Sequence, residues 1–318
     1  LLDSAYITTF DSFSLSIVKK YHYLLNVSSN IGIIDPSVID LEKKAIMNTI
    51  FSEYYEKEEP EFLDLISNFC LKDDQELQNY ILNISNKLDL LSNKEEYLET
   101  YLATFFNDTK LETDINAYLQ LIWNKIDQIK QVLEEISYLD NDYRNKLEDS
   151  LNYLLETSDY DELVTIISKL KLPPVPRGSS DELKELKTSI SDLLKDIKAL
   201  CSYTSKSDIK DFILLTKNNL QVIITIILDF TKRIKAYKYT KDAYEFNDIA
   251  IMAINIVKNN PDIQTELRNS FQEIMIDEYQ DTSDLQEEFI SLIEKNNVYM
   301  VGDIKQSIYR FRNANPYI

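Results

Sequence analysis

The chain has 318 residues, 44% hydrophobic and 28% charged, the proportions of a soluble globular protein long enough for two domains. Its formal net charge of −20 argues against tight autonomous binding to nucleic acid, because phosphate contacts dominate such affinity and favour basic surfaces. A single histidine, His22, excludes a histidine-rich metal centre, and Cys70 and Cys201, far apart within apolar helical patterns, are expected to be packing thiols.

At the N-terminus, Leu1-Leu-Asp-Ser lacks the basic region and apolar core of a signal peptide. Ala5-Tyr-Ile-Thr-Thr-Phe10 predicts a short strand. Asp11 or Ser12 then caps a helix whose apolar face is Phe13, Ile17, Tyr21 and Leu24. His22, in Lys-Lys-Tyr-His-Tyr, reads as a surface or helix-packing residue.

From about Val27 to Tyr244 helix follows helix. Asp35-Pro36 marks a turn, and the helix from Val38 to Glu59 stops at Pro60. Phe62, Leu65, Ile66, Phe69 and Cys70 share a face. Ile115, Leu119, Ile122, Ile126, Ile129, Leu133 and Ile136 repeat at alternating steps of three and four, as do Leu183, Leu186, Ile190, Leu193, Ile197 and Leu200. Such stripes face a core by default. Between them, Leu172-Pro-Pro-Val-Pro-Arg-Gly-Ser-Ser180 cannot continue a helix, and Ser180 or Asp181 caps the next one. The most apolar run, Leu220 to Phe230, contains Gln221, Thr225 and Asp229 and is too short to span a bilayer. No membrane association and a cytoplasmic location are expected.

Phe246-Asn-Asp-Ile249 opens a helix with Phe246, Ile249, Ala250, Ile254 and Val257 on one face. Ile274, Met275 and Ile276 then read as a buried parallel strand, since a strand covered on both faces is continuously apolar. It delivers Asp277 and Glu278 at its carboxyl end, where open α/β sheets place their ligand crevice. A helix from Leu285 to Ile293 and a strand from Val298 to Val301 follow. Adjacent carboxylates there suit a hard cation, which needs one or two of them beside waters and phosphate oxygens. The second is then free to orient or deprotonate a water. Glycine is limited to Gly32, Gly178 and Gly302, so the chain contains no phosphate-cradling Gly-x-x-x-x-Gly-Lys-Ser/Thr string.

Asp277-Glu-Tyr-Gln-Asp-Thr-Ser283, followed by Gln286, closely resembles motif II (the Walker B box) of UvrD/Rep-like superfamily 1 helicases. Val301-Gly-Asp-Ile-Lys-Gln-Ser-Ile-Tyr-Arg-Phe-Arg-Asn-Ala-Asn-Pro316 resembles their motif III, and its wording is closest to AddA/RecB-type helicase–nuclease proteins. Thr9-Phe-Asp-Ser-Phe13 resembles the Thr-Phe-His-Ser-Phe box along the DNA path, with Asp11 in place of histidine. Phe246-Asn-Asp-Ile249 is similar to the segment preceding motif II, and the Pro/Gly loop near 172–180 has a counterpart in AddA-type proteins. The resemblance implies ATP and Mg2+ as cofactors, with Asp277 holding the ion through water, Glu278 activating the hydrolytic water, and Gln280 and Gln306 at the nucleotide. It also implies Thr9, Phe10, Tyr309, Phe311 and Arg312 as DNA contacts. Stacking on aromatics binds any base, because every base has a π-face.

The fold class expected is mostly α: a helical insertion of the family's 1B type over 26–244, set in a partial RecA-like α/β core formed by 1–25 and 245–318. The resemblance implies single-stranded and duplex DNA as partners, an AddB-type partner subunit, and a parent enzyme that couples ATP hydrolysis to translocation and unwinding in double-strand-break repair and recombination. AddA-type chains also carry a nuclease domain, of which nothing is in this sequence. Without a phosphate-cradling loop, the expectation is an internal segment that is inactive alone. Two rivals are a non-catalytic helical interaction module and a P-loop ATPase that is not a helicase; the aromatic Gln-Ser-Ile-Tyr-Arg-Phe-Arg segment argues against the latter.

Overall fold

The computed structural model describes residues 6–303 and residue 305. In chain order the elements are α1 (Phe10–Lys20), β1 (Gly32–Ile33), α2 (Pro36–Lys57), α3 (Pro60–Phe69), α4 (Gln75–Leu88), α5 (Lys94–Phe105), α6 (Asp108–Leu139), α7 (Asn141–Glu156), α8 (Tyr160–Lys169), α9 (Asp181–Leu200), α10 (Lys206–Lys241), β2 (Ala243–Tyr244), α11 (Phe246–Asn259), α12 (Pro261–Ser270), β3 (Ile274–Ile276), α13 (Asp284–Ile293) and β4 (Val298–Met300). The fold is mostly α. Among the described residues the strands form two parallel pairs, β1 with β2 and β3 with β4.

The chain divides into two compact units, Leu1–Glu99 with Gln221–Ile318, and Thr100–Leu220. The cuts fall within α5 and α10.

The unit Thr100–Leu220 is built on α6 to α9. Asn107 caps α6 by accepting from the Lys110 N–H at 2.9 Å. Along α6 the predicted stripe from Ile115 to Ile136 is buried at every position, with Leu111 extending it by one turn. It packs with Tyr143, Leu147, Leu151 and Leu154 of α7 and with Leu183, Ile190 and Ile197 of α9, while Leu186, Leu193 and Leu200 are partly buried against the same core. Burying one such side chain contributes about 1.5–3 kcal/mol, so this stripe is the main source of cohesion here. The proline-rich segment is irregular, and the Tyr143 hydroxyl anchors it by donating to the Pro173 carbonyl at 3.2 Å. Ser180 caps α9, accepting from the Leu183 N–H at 3.2 Å.

The other unit holds the candidate site. Its core gathers Ile17 and Val18 of α1 with Tyr21 just after it, Ile249, Ala253, Ile254 and Val257 of α11, and Leu285, Phe289 and Ile293 of α13. Residues 6–9 are irregular instead of forming the expected strand, and Thr9, not Asp11 or Ser12, is the helix cap. Thr9 has extended backbone and its hydroxyl accepts from the Ser12 N–H at 3.3 Å. Asp11 thereby falls in the first helical turn, where a carboxylate meets the positive end of the helix dipole. Helix α1 ends at Lys20, so Leu24 sits in a 3-10 turn and is exposed. His22 Nδ1 lies 3.0 Å from the Val27 carbonyl, a packing contact that closes this turn.

Strand β3 differs from the expected buried strand. Ile274 packs against the core, but Met275 is 72% exposed and its neighbour Tyr299 65%. Successive side chains of a strand point to opposite faces. Only one face of this pair is covered by helices among the described residues. The apolar run at 220–230 also belongs to something longer than predicted. Helix α10 is long and apolar enough, by length and composition alone, to cross a bilayer. Its Ile226, Ile227 and Phe230 are nonetheless buried within the protein.

Candidate active site

Strands β3 and β4 run parallel in register, Ile274 beside Val298, Met275 beside Tyr299 and Ile276 beside Met300. Their carboxyl ends therefore finish side by side. After β3 comes Asp277, whose Oδ1 accepts from the Glu278 N–H at 2.9 Å. Glu278 adopts the left-handed conformation, φ 51° and ψ 42°. A non-glycine residue there costs about 1 kcal/mol and is kept only where surroundings enforce it. Tyr279–Asp281 then form a 3-10 turn.

Two backbone bonds lash the end of β3 and this turn to the residue after β4. The Val301 N–H donates to the Ile276 carbonyl at 2.9 Å, and the Tyr279 N–H to the Val301 carbonyl at 2.8 Å. A side chain adds a third tie. Gln280 is only 5% exposed. Its Nε2 donates to Glu278 Oε2 at 2.6 Å, and its Oε1 accepts from the Asp303 N–H at 2.9 Å. Gly302 permits this approach: a Cβ there would stand 2.6 Å from Gln280 Oε1 and 3.0 Å from the Gln280 nitrogen.

The rest of the Asp-Glu-Tyr-Gln-Asp-Thr-Ser string does structural work. Ser283 and Gln286 form a capping box for α13: the Ser283 hydroxyl accepts from the Gln286 N–H at 3.4 Å, and the Gln286 amide oxygen from the Ser283 N–H at 3.1 Å. The Tyr279 hydroxyl donates to Glu287 Oε2 at 2.6 Å. Burial and this carboxylate push the phenol pKa up to about 12. Asp281 Oδ1 is buried and has no hydrogen-bond partner among the described residues.

A cleft of about 580 Å³ opens on this strand end. Thr9 and Phe10, predicted from one end of the sequence, line it together with Asp277 and Glu278, predicted from the other. The Phe10 ring also packs edge-on against Phe289, centroids 5.6 Å apart. Gln306, Tyr309, Phe311 and Arg312 lie outside the described residues. Asp277 and Glu278 are both exposed. Among the described residues no group of three or more His, Cys, Asp and Glu side chains could hold a metal unaided. A pair of reachable carboxylates instead fits a hydrated Mg2+ that keeps most of its waters and takes its remaining oxygens from a bound phosphate.

Sequence reasoning gave no role to Gly302 or Asp303, although both stand in the motif III string. The signal available was the rarity of glycine: one of only three falls directly after a strand. Gln280 was expected at the nucleotide, but its bond to the Asp303 N–H carried no sequence signature.

A parallel strand pair with two exposed carboxylates just past its carboxyl end places them where open α/β sheets put their ligand crevice. The chain belongs to the UvrD/REP helicase N-terminal domain family, which matches it over residues 1–318. It is 31% identical over 355 aligned residues to the AddA-type ATP-dependent helicase/nuclease protein of Thermoanaerobacter sp. (strain X514), covering 100% of this chain and 29% of that protein. The protein of the same name from Lachnoclostridium phytofermentans is 29% identical over 362 residues, covering 99% of this chain and 26% of its own length. That from Clostridium acetobutylicum is 27% identical over 368 residues, with 100% and 29% covered. The chain thus spans under a third of the length of these curated relatives.

Proposed function

We propose that this chain is the part of an ATP-driven DNA helicase, of the AddA helicase/nuclease type, that carries the hydrolytic carboxylates and the start of the DNA-coupling segment. The observation that carries the reading is the juxtaposition at the strand ends: Asp277 and Glu278 follow β3 directly, and Val301 and Asp303, the first residues of the motif III segment, are bonded to the same stretch. The relatives' names, all of ATP-dependent helicase/nuclease proteins, support it.

In this reading Asp277 would hold Mg2+, and the ion would supply charge neutralisation at the phosphates. Glu278 orients the attacking water and takes up its proton, and Gln306 senses the terminal phosphate. Tyr309 and Phe311 stack on bases of single-stranded DNA with Arg312 beside them, and Thr9 and Phe10 lie along the DNA path. Residues 26–244 form the helical insertion and contact duplex DNA or a partner subunit. The whole protein works in the cytoplasm on double-strand-break repair and recombination intermediates. Residues 1–318 alone, having no phosphate-cradling loop, do not turn over ATP.

The test is DNA-stimulated ATP turnover by the full-length protein. Glu278→Gln should leave ATP binding intact and lower turnover about 10²- to 10⁴-fold, the range for loss of a general base. Retained turnover in Glu278→Gln overturns the assignment.

A further inference from the structure

Gln280 is connected on both sides in a way that nucleotide contact alone does not require. Its amide has two unlike ends, and the partners fix which is which. A carboxylate such as Glu278 only accepts, and a backbone N–H such as that of Asp303 only donates, so Nε2 faces Glu278 and Oε1 faces Asp303. Both bonds lie within ordinary hydrogen-bond distance, and the one to the charged carboxylate is short, as charge-assisted bonds are. The side chain is buried, so water competes little for either bond. Glu278 itself is exposed, on a left-handed backbone, and Gln280 is the side chain seen to hold its carboxylate.

We propose that Gln280 is a positioning residue: a buried strut that fixes the Glu278 carboxylate and ties it to the Asp303 backbone just past β4, so that the hydrolytic acid and the chain leaving β4 move together. This deepens the functional reading above and rests on it. A displaced Asp303 backbone pulls Oε1, which drags Nε2 and with it the carboxylate. Conversely, a shift of the carboxylate releases or moves the 302–303 segment. The lack of a side chain at 302 belongs to the same device, because a Cβ would occupy the space the amide oxygen needs.

The experiment compares wild type, Gln280→Ala, Gln280→Glu, Glu278→Gln and the double variant Gln280→Ala/Glu278→Gln in the full-length protein. Two quantities are read: DNA-stimulated ATP turnover against pH, and hydrogen exchange of the peptide containing the Asp303 amide. Gln280→Ala should speed exchange of that peptide and lower kcat about 10- to 100-fold with KM for ATP within about twofold, a fraction of what a general base supplies. In the Glu278→Gln background Gln280→Ala should cost nothing further, since residues acting as one unit are non-additive. Gln280→Glu sets a second carboxylate against Glu278, so the acid limb of its pH–rate profile should move upward by about one pH unit. A merely structural role would lower all activities alike and leave that limb in place.

Unchanged exchange in Gln280→Ala overturns the strut, whatever turnover does. Equal loss of kcat with and without Glu278 overturns positioning. Faster exchange in a protein whose wild type shows no DNA-stimulated turnover leaves the strut standing and sinks the functional reading instead.

Discussion

Lys238 and Asp248 are joined at 2.6 Å, and the lysine, only 4% exposed, also holds Glu245 at 2.6 Å. Lys43 reaches the other oxygen of Glu245 at 2.8 Å, and Asp248 accepts from the Glu245 N–H at 2.8 Å. Four charges from α2, α10 and the start of α11 thus satisfy one another where the chain passes from β2 into the helix that leads to β3. Burial works against the charged form of Lys238, but Asp248 and Glu245 outweigh it and lift its pKa above the ordinary lysine value. Burial likewise opposes ionised Glu245, and Lys238 and Lys43 outweigh it, holding its carboxyl below the ordinary range. A raised lysine gives stability that is complete below its unfolded pKa, about 10, and lost as pH climbs through the folded value. A lowered carboxyl gives stability present above about pH 4 and lost as pH falls. Urea midpoints should therefore hold level between these limits and fall on both sides. Lys238→Met leaves the Asp248 carboxylate without its cation, while Glu245 keeps Lys43, and should cost about 3 kcal/mol at neutral pH, while blunting the alkaline fall. An unchanged midpoint would show that the cluster contributes nothing.

Ile122 is fully buried on α6, and its neighbour Leu121 is 54% exposed. Ile122→Ala should cost about 2–5 kcal/mol through lost burial and a residual cavity, and Ile122→Val about 0.5–1.5 kcal/mol. Leu121→Ala should stay within about 0.5 kcal/mol. Denaturant unfolding of the three variants checks the face assignment one residue apart, and similar losses for Leu121 and Ile122 would contradict it.

That stripe was legible because a helix buries one face, and the period is written in every third or fourth residue. The strand pair β3 and β4 and the helix α13 were legible from short apolar runs ending in turns. The first strand was not: Tyr6, Ile7 and Thr8 have strand-like composition, but Thr9 uses its extended backbone to cap α1, which sequence alone does not distinguish. The exposure of Met275 was also hidden, since an apolar run states what a residue can bury against and not what is there. At the site, types of residue were readable and connections were not. Nothing in the string marks Gln280 as reaching Asp303, because the partner sits just past the next strand and the bond exists only in the folded register.

Cys201 closes α9, its N–H donating to the Ile197 carbonyl at 2.8 Å, and is a free thiol. Burial pushes its pKa up to about 11. The thiolate is the reactive species, so at pH 8 its alkylation by iodoacetamide should run about 100-fold slower than that of free cysteine and rise about tenfold per pH unit up to pH 10. Cys70, also raised by burial and by the nearby Asp74 and Asp73, should react slowly as well. Mass-spectrometric labelling rates decide this, and rapid labelling of Cys201 at pH 8 would show that α9 opens readily at its end.

Gly302 offers the sharpest probe of how closely the two strand ends must meet. Alanine there adds one carbon 2.6 Å from Gln280 Oε1, 3.0 Å from the Gln280 nitrogen and 3.2 Å from the Tyr279 nitrogen. The side-chain oxygen can swing away, but the two backbone atoms cannot move without disturbing the Tyr279-to-Val301 bond. Gly302→Ala should therefore destabilise by about 1–3 kcal/mol, the usual cost of overpacking, and lower DNA-stimulated turnover of the full-length protein at least as much as Gln280→Ala. Residues that share a contact couple, so placing Gly302→Ala on Gln280→Ala should cost less than the sum of the two, with the backbone clash accounting for the remainder. Strict additivity would mean that the glycine and the glutamine act on the turn separately, and that the carboxylate of Glu278 is held in place by something other than the connection across the strand ends.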